Sequence, residues 1–491
     1  GRHNKVECNK VFSCNTMNKL LCALPAGGRA LSQAKGRVQW CIPANQNVSH
    51  QGATRASNRT YFTATRWGEA QQGGQSGGMA IAGHRTFSSA SGGQAGKGAQ
   101  HPNIGTFSSD MQFVGKFKEP FVTYRVLDDF GNIVPGATDP DVDREKAVSM
   151  FRMMVRLNVM DSILYEAQRQ GRLSFYMTNY GEEAIHMGSA AALTQDDVIF
   201  GQYREAGVLL WRGFTIQEVC DQCVANEHSS DKGRMMPVHY GSARLNFQTI
   251  SSPLGTQLPQ AAGAAYSLKM QGKDACVVCY FGDGAASEGD FHGGLNFAAT
   301  LECPVVFFCR NNGYAISTPI SEQYKGDGIA VRGVSYNIET VRCDGNDVWA
   351  VYNVMKHARH IAVTKKVPVL VEAMTYRGGH HSTSDDATRY RGREEVSVWA
   401  NTNNPIARIK MFLERKGWVE EGTEEKLREE AKKEVLEALV AAEAKKKLGL
   451  ADLFTDVYDS LPPHLREQEE EMRRHLSEFG DDEYPVLKEM R

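Results

Sequence analysis

Ala275-Cys-Val-Val-Cys-Tyr-Phe-Gly-Asp-Gly-Ala-Ala-Ser-Glu288 decides the fold. Ala275 to Phe281 is apolar throughout and strand-sized. It is the longest apolar run in the chain, and it stops at Gly282-Asp283-Gly284. The helical pattern Glu288–Glu302 follows. A strand without alternation has both faces buried, as in a parallel sheet covered by helices. Asp197-Val-Ile-Phe-Gly201, Pro304–Cys309, the neighbourhood of Val341 and Pro368–Met374 also read as strands, while Gln257–Gln271 and Asp347–Thr364 read as helices. This alternation predicts an α/β domain with a parallel sheet flanked by helices. Asp143–Arg172 predicts one long helix. Its apolar stripe of Met150, Met153, Met154, Leu157, Met160, Ile163 and Leu164 belongs to core packing. Beyond Asn404 a helical C-terminal extension is expected, with the charge runs of Glu424–Lys447 and Pro462–Phe479 as solvated faces.

Parallel α/β sheets bind ligands at the carboxyl ends of their strands, so the turn after Phe281 is placed for one. It is not a dinucleotide fingerprint, because the glycine after Gly284 is Gly289, and no Gly-Lys-Ser/Thr makes it a Walker loop. An aspartate between two glycines offers a carboxylate where the backbone can approach a phosphate. That combination makes sense if magnesium lies between them. The next strand ends in Arg310-Asn-Asn-Gly-Tyr314, and amide oxygens are hard ligands that suit the same ion. One such turn alone reads as an ordinary loop. Two, one helix apart and each directly after an apolar strand, read as a metal site.

The composition is that of a globular enzyme: 491 residues, formal net charge −2 and 41% hydrophobic residues. Near-neutral charge speaks against nucleic-acid binding. No run approaches the roughly 18 apolar residues of a membrane helix. Of 11 cysteines, Cys8, Cys14, Cys22 and Cys41 lie near the start. Cys276, Cys279, Cys303 and Cys309 sit in or beside apolar runs, as small hydrophobes do. Cys220 and Cys223 form a lone CxxC, whose surroundings read as a helix with both thiols on one face, a structural pair. The stretch before Asp110 is rich in Gly, Ser, Gln and Asn, basic, and nearly free of acid. Such composition predicts disorder and a mitochondrial transit peptide, with Arg85-Thr-Phe-Ser-Ser89 as a cleavage context; an extension that is not native is the alternative. Asn47-Val-Ser49 and Asn58-Arg-Thr60 match a glycosylation sequon that is common by chance. The expected division is a tail and linker over 1–112, an α/β domain over 113–403 and a helical region over 404–491.

The paired turns match the thiamine-diphosphate signature. The wider chain, from about Phe121 to Pro485, resembles the α subunits of the first (E1) component of branched-chain 2-oxo acid dehydrogenases. The resemblance rests on Ser174-Phe-Tyr-Met-Thr-Asn-Tyr-Gly-Glu-Glu183, Phe200-Gly-Gln-Tyr-Arg-Glu-Ala-Gly207, Met236-Pro-Val-His-Tyr-Gly241, Phe281-Gly-Asp-Gly-Ala-Ala-Ser-Glu-Gly-Asp290 and Gly379-His-His-Ser-Thr-Ser-Asp-Asp386. It implies the thiamine-diphosphate-binding fold of the diphosphate-binding type. Asp283, Asn312 and the Tyr314 carbonyl would ligate Mg2+; the family more often has Glu at the first position. Tyr203, Arg204, Ser252, Leu254, Gly284, Ala285, Arg310 and His381 would contact thiamine diphosphate, and guanidinium groups clamp phosphate oxygens well. Ser251, Pro253, Thr256 and Gln257 would hold K+, although from the residues alone that segment reads only as a loop before a helix.

His380 and His381 follow a strand in a Gly- and Ser-rich loop, a functional setting. Read from the residues, a His–His pair beside Asp385-Asp386 leaves zinc open. The resemblance instead makes His381 the general acid–base group for acyl transfer and Ser382 an inactivating phosphorylation site. A second phosphoserine of the family corresponds to Gly392 here.

Thiamine chemistry also needs a carboxylate to activate the cofactor's aminopyrimidine. Only one diphosphate-binding unit is visible, and the globular part leaves little room for a second α/β domain. The missing half would come from an E1 β subunit, in an α2β2 heterotetramer that passes its acyl group to a lipoyl-bearing E2 transacylase. A regulatory kinase and phosphatase complete the implied partners; no nucleic acid or membrane is expected. The rival readings are a pyruvate dehydrogenase E1 α subunit and a catalytically silent scaffold.

Overall fold

A computed structural model of the chain describes residues 119–485, together with 111, 113, 115 and 487. The transit-peptide expectation, its cleavage context, both sequons and the four cysteines near the start lie outside these residues. The strands are β1 (Thr123–Tyr124), β2 (Val198–Phe200), β3 (Phe247–Gln248), β4 (Val277–Gly282), β5 (Val305–Asn311), β6 (Tyr314–Ala315), β7 (Thr318–Pro319), β8 (Glu339–Asp344) and β9 (Val369–Met374). Seven form one sheet in the order β1-β8-β9-β5-β4-β2-β3, and β6 pairs with β7 separately. Every pairing in the large sheet is parallel.

The unbroken apolar run of β4 is explained by two cores. Val277, Cys279 and Phe281 pack with Leu258, Ala261, Phe291 and Leu295 of the helices Gln257–Met270 and Gly289–Thr300. Val278 and Tyr280 point the other way, into a larger core with Met150, Met154, Leu157, Trp349 and Val351. Successive strand residues face opposite sides, so both faces are apolar because both are covered. The five expected strands are the five inner strands of the sheet, and they and the three helices between them lie where the sequence put them. The two-residue edge strands β1 and β3 carry too few residues to show a pattern.

Asp143 starts the long helix Arg144–Arg169, its carboxylate accepting from the Lys146 N–H, and the Met stripe is buried apart from Met153 and Ile163, which are partly so. The helix Thr423–Glu443 packs on it and on Ile216–Val224 through Leu427, Ala431, Val435, Ala438, Leu439 and Ala442. Only the opposite face of this charged segment is solvated. Cys220 and Cys223 are buried in Ile216–Val224; burial pushes the Cys220 thiol well up and that of Cys223 to about 11. Protonated, buried thiols are structural, as the sequence reading had them. Among the described residues no helix is long and apolar enough to cross a membrane.

Candidate active site

β4 and β5 are neighbours, with Gly282 opposite Arg310. The Gly-Asp-Gly and Asn-Asn turns therefore leave the same sheet edge side by side. They border a cavity of about 190 Å³ whose lining includes Tyr203, Leu254, Asp283, Gly284, Ala285, Arg310, Asn312, Tyr314 and Arg377. Gly284 has to be glycine, since a Cβ there would lie 2.8 Å from Ala315 Cβ. Asp283 is buried and pairs with no cation among the described residues; Gln323 Nε2 donates to it at 3.2 Å. Burial pushes its carboxyl up to about 6, against the hydrogen bonds it receives.

Behind the cavity sits a buried charge cluster. Glu182 is fully buried at the start of the helix Glu183–Ala191. It accepts from Arg310 Nη1 at 2.7 Å and Asn312 Nδ2 at 2.9 Å, with Arg204 Nε at 3.8 Å. Desolvation raises its pKa, but Arg310 and Arg204 outweigh that, and the carboxylate stays ionised. By taking the amide nitrogen of Asn312, Glu182 turns the amide oxygen away. That oxygen then has only the long 3.3 Å bond from the Tyr314 N–H. Glu205 accepts Arg310 Nε at 2.6 Å and caps the N–H groups of Gln202 and Tyr203. Arg310 keeps one donor, Nη2, buried and without a partner; Arg204 Nε and Arg377 Nε are likewise unsatisfied. Buried donors are rarely left so. Orphaned guanidinium donors, a glycine that leaves the wall open, and a carboxylate and an amide oxygen on adjacent turns fit a diphosphate bound through a divalent cation.

The loop after β9 closes one side. His381 Nε2 lies 3.2 Å from the Tyr203 hydroxyl. The His381 N–H donates to Asp385 at 2.8 Å, and its carbonyl accepts Arg204 Nη2 at 2.9 Å. Burial, then Arg204 and Arg377, lower its pKa to about 3, so the ring is neutral. His380 turns away and accepts the Ala387 N–H through Nδ1. No three His, Cys, Asp or Glu side chains among the described residues converge on a metal, which removes the support for zinc here. Ser382 is buried, its hydroxyl accepting the Ser384 N–H at 3.2 Å. Arg377 reaches the loop through Tyr390, whose hydroxyl donates to Asp385 at 2.6 Å.

The segment Ser251–Gln257 is a turn in which Thr256 Oγ1 donates to the Pro253 carbonyl at 3.1 Å. Gln257 Nε2 donates to the Tyr280 carbonyl. The Ser252 hydroxyl bonds His239 Nε2 at 2.8 Å. Leu254 borders the cavity from here, whereas Ser251 and Thr256 are not among its lining residues.

The sequence reading overlooked Glu182, Glu205, Gln202, Gln323 and Arg377. Glu182, Gln202 and Glu205 stood in quoted stretches, but nothing in a lone sequence marks a glutamate or a glutamine as buried.

The family described as dehydrogenase E1 component matches residues 151–451. The chain belongs to this family. This E1 chain is 54% identical over 374 residues to the 2-oxoisovalerate dehydrogenase subunit alpha, mitochondrial, of Dictyostelium discoideum, a match spanning 76% of this chain and 85% of the relative. It is 55% identical over 363 residues to the Mus musculus protein of the same name, spanning 74% and 82%. It is 56% identical over 364 residues to 2-oxoisovalerate dehydrogenase subunit alpha 1, mitochondrial, of Arabidopsis thaliana, spanning 74% and 77%.

Proposed function

We propose that this chain is the α subunit of a mitochondrial branched-chain 2-oxo acid dehydrogenase that decarboxylates its substrate oxidatively with thiamine diphosphate and passes the acyl group to lipoamide. The observation that carries this is the cavity at the ends of β4 and β5, where orphaned arginine donors stand beside a buried, unpaired Asp283. The names of relatives more than half identical to it support the branched-chain substrate class over pyruvate and over a silent scaffold.

In this reading Arg310, Arg204 and Tyr203 hold the diphosphate, while Gly284, Ala285, Ser252 and Leu254 shape its bed. Asp283, Asn312 and the Tyr314 carbonyl hold Mg2+. Ser251, Pro253, Thr256 and Gln257 hold K+ and so fix the loop that bears Ser252 and Leu254. The chemistry that bound thiamine diphosphate supplies is a carbanion able to attack a 2-oxo carbon. This chain supplies orientation and a proton site. His381, neutral and clamped through its backbone by Asp385 and Arg204, is free to take up and return a proton. Phosphorylation of Ser382 by a kinase, reversed by a phosphatase, would add charge beside that ring.

The cavity of about 190 Å³ is smaller than the roughly 300–1,000 Å³ of typical ligand pockets. A β subunit that completes the site and brings the activating carboxylate accounts for this, within an α2β2 assembly that serves an E2 transacylase. The division into a tail over 1–112, a cofactor-binding domain over 113–403 and a helical region over 404–491 belongs to the same reading. The test is co-expression with a β subunit, then turnover of 2-oxoisovalerate and pyruvate with thiamine diphosphate. Preference for 2-oxoisovalerate, and activity only with β, are expected; equal or better use of pyruvate overturns the substrate class.

A further inference from the structure

Glu182 serves the arginines of the site; the next residue, Glu183, lines a second cavity, of about 310 Å³, together with Asn158, Tyr180, Tyr376, Trp399 and Pro405. Glu183 is only 2% exposed and has no cationic partner among the described residues. Its donors are neutral: Asn158 Nδ2 at 3.0 Å and the Gly181 N–H at 2.9 Å. Burial pushes its carboxyl up to about 7. A carboxylate held in a dry place without a cation is costly, and a bound cation removes that cost. The walls are aromatic: Tyr376 and Trp399 stack at 5.0 Å between centroids and 3° between planes, and Tyr180 adds a third ring. The Arg391 guanidinium already sits 5.3 Å from the Tyr376 centroid, so the rings here serve an alkyl chain and the cation is left to Glu183. No Lys, Arg or His lines the cavity, so a ligand carboxylate or phosphate would find no counter-charge. The volume is far larger than a bare alkali ion fills.

We propose that this cavity is a binding site for a small organic ammonium ion carrying a short apolar tail. The ammonium pairs with Glu183 and the tail lies along the aromatic wall. The site sits at the root of the His381 loop. The Gly378 N–H donates to the Tyr180 carbonyl at 2.8 Å, and Thr375 Oγ1 donates to the Gly181 carbonyl at 3.1 Å. An occupant therefore touches the segment that anchors the loop, and its neighbour Glu182 touches Arg310 and Asn312.

The probe is n-butylammonium chloride, with 1-butanol as its neutral counterpart. Each is titrated into the full chain, co-expressed with a β subunit, and followed by saturation-transfer NMR. Potassium chloride buffer keeps alkali ions from supplying the signal. Saturable binding of the ammonium is expected, with 1-butanol and the Glu183→Gln variant about tenfold or more weaker. Ala400→Phe, which fills the cavity from an exposed position on the helix Arg393–Thr402, should block binding. Absence of saturable binding, equal binding by 1-butanol, or an unchanged affinity in Glu183→Gln overturns the proposal. If Glu183→Gln does not assemble, undiminished binding by Ala400→Phe overturns it.

Discussion

Glu182→Gln keeps the shape of the side chain and removes its charge, at the hub of the site. The carboxylate accepts from Arg310 at 2.7 Å and Asn312 at 2.9 Å, with Arg204 at 3.8 Å. Arg204, Arg310 and Arg377 already outnumber the buried Glu182 and Glu205 by one charge, and the variant doubles that excess. An amide also has only one acceptor atom, so one guanidinium or amide donor faces a donor. Removing one partner from a buried ion pair costs about 3–5 kcal/mol. Spread over roughly 370 described residues, at about 2.1 cal/mol/K per residue, that lowers Tm by about 4–6 °C. The second consequence is chemical. Once Glu182 no longer fixes the Asn312 amide, its oxygen is no longer aimed, and losing such an orienting partner weakens metal binding by about 10–100-fold. Scanning calorimetry of the co-expressed enzyme and a magnesium titration at fixed thiamine diphosphate read the two effects separately. An unchanged Tm would show that the cluster is not held by this carboxylate. A lower Tm with unchanged magnesium dependence would show that Glu182 does not orient Asn312.

Gly284→Ala puts a Cβ 2.8 Å from Ala315 Cβ; relieving that overlap costs about 1–3 kcal/mol. It should weaken cofactor binding by at least about tenfold in calorimetric titration while secondary structure by circular dichroism stays unchanged. Ser382→Glu drives a carboxylate into a buried position beside His381; it should abolish acyl transfer to a lipoylated partner, and proteolysis should show the loop opened. The folded-state pKa of His381, about 3 against 6.5, lies below that of the unfolded chain. Its contribution to stability is therefore present above about pH 6.5 and is lost progressively as pH falls toward 3. Near pH 5 the loss reaches about 2 kcal/mol, so His381→Gln should lose less Tm than the parent between pH 7 and 5.

The sheet was legible because β4, β5 and β9 are covered on both faces and so are apolar without alternation. β1 and β3, with two residues each, left no trace. The two turns that border the cavity were legible because Gly-Asp-Gly and Asn-Asn-Gly sit directly after such strands. What supports them was not, because Glu182 and Glu205 become special only through burial beside Arg310, which comes from a distant part of the chain. The Met stripe and the CxxC were read correctly as packing. The charge run over Pro462–Phe479 is the solvated surface it was read as, but in the helix Thr423–Glu443 Leu427 and Val435 are buried against the first helix, a face hidden among the lysines and glutamates around it.

The account stands on magnesium-dependent diphosphate binding at the ends of β4 and β5. The direct measurement is calorimetric titration of thiamine diphosphate with magnesium into the assembled enzyme, comparing the parent with Asp283→Ala. The predicted result is saturable, magnesium-dependent binding in the parent and its loss in the variant, with assembly intact by gel filtration. Equal affinity in both, or equal binding with and without magnesium, would contradict it.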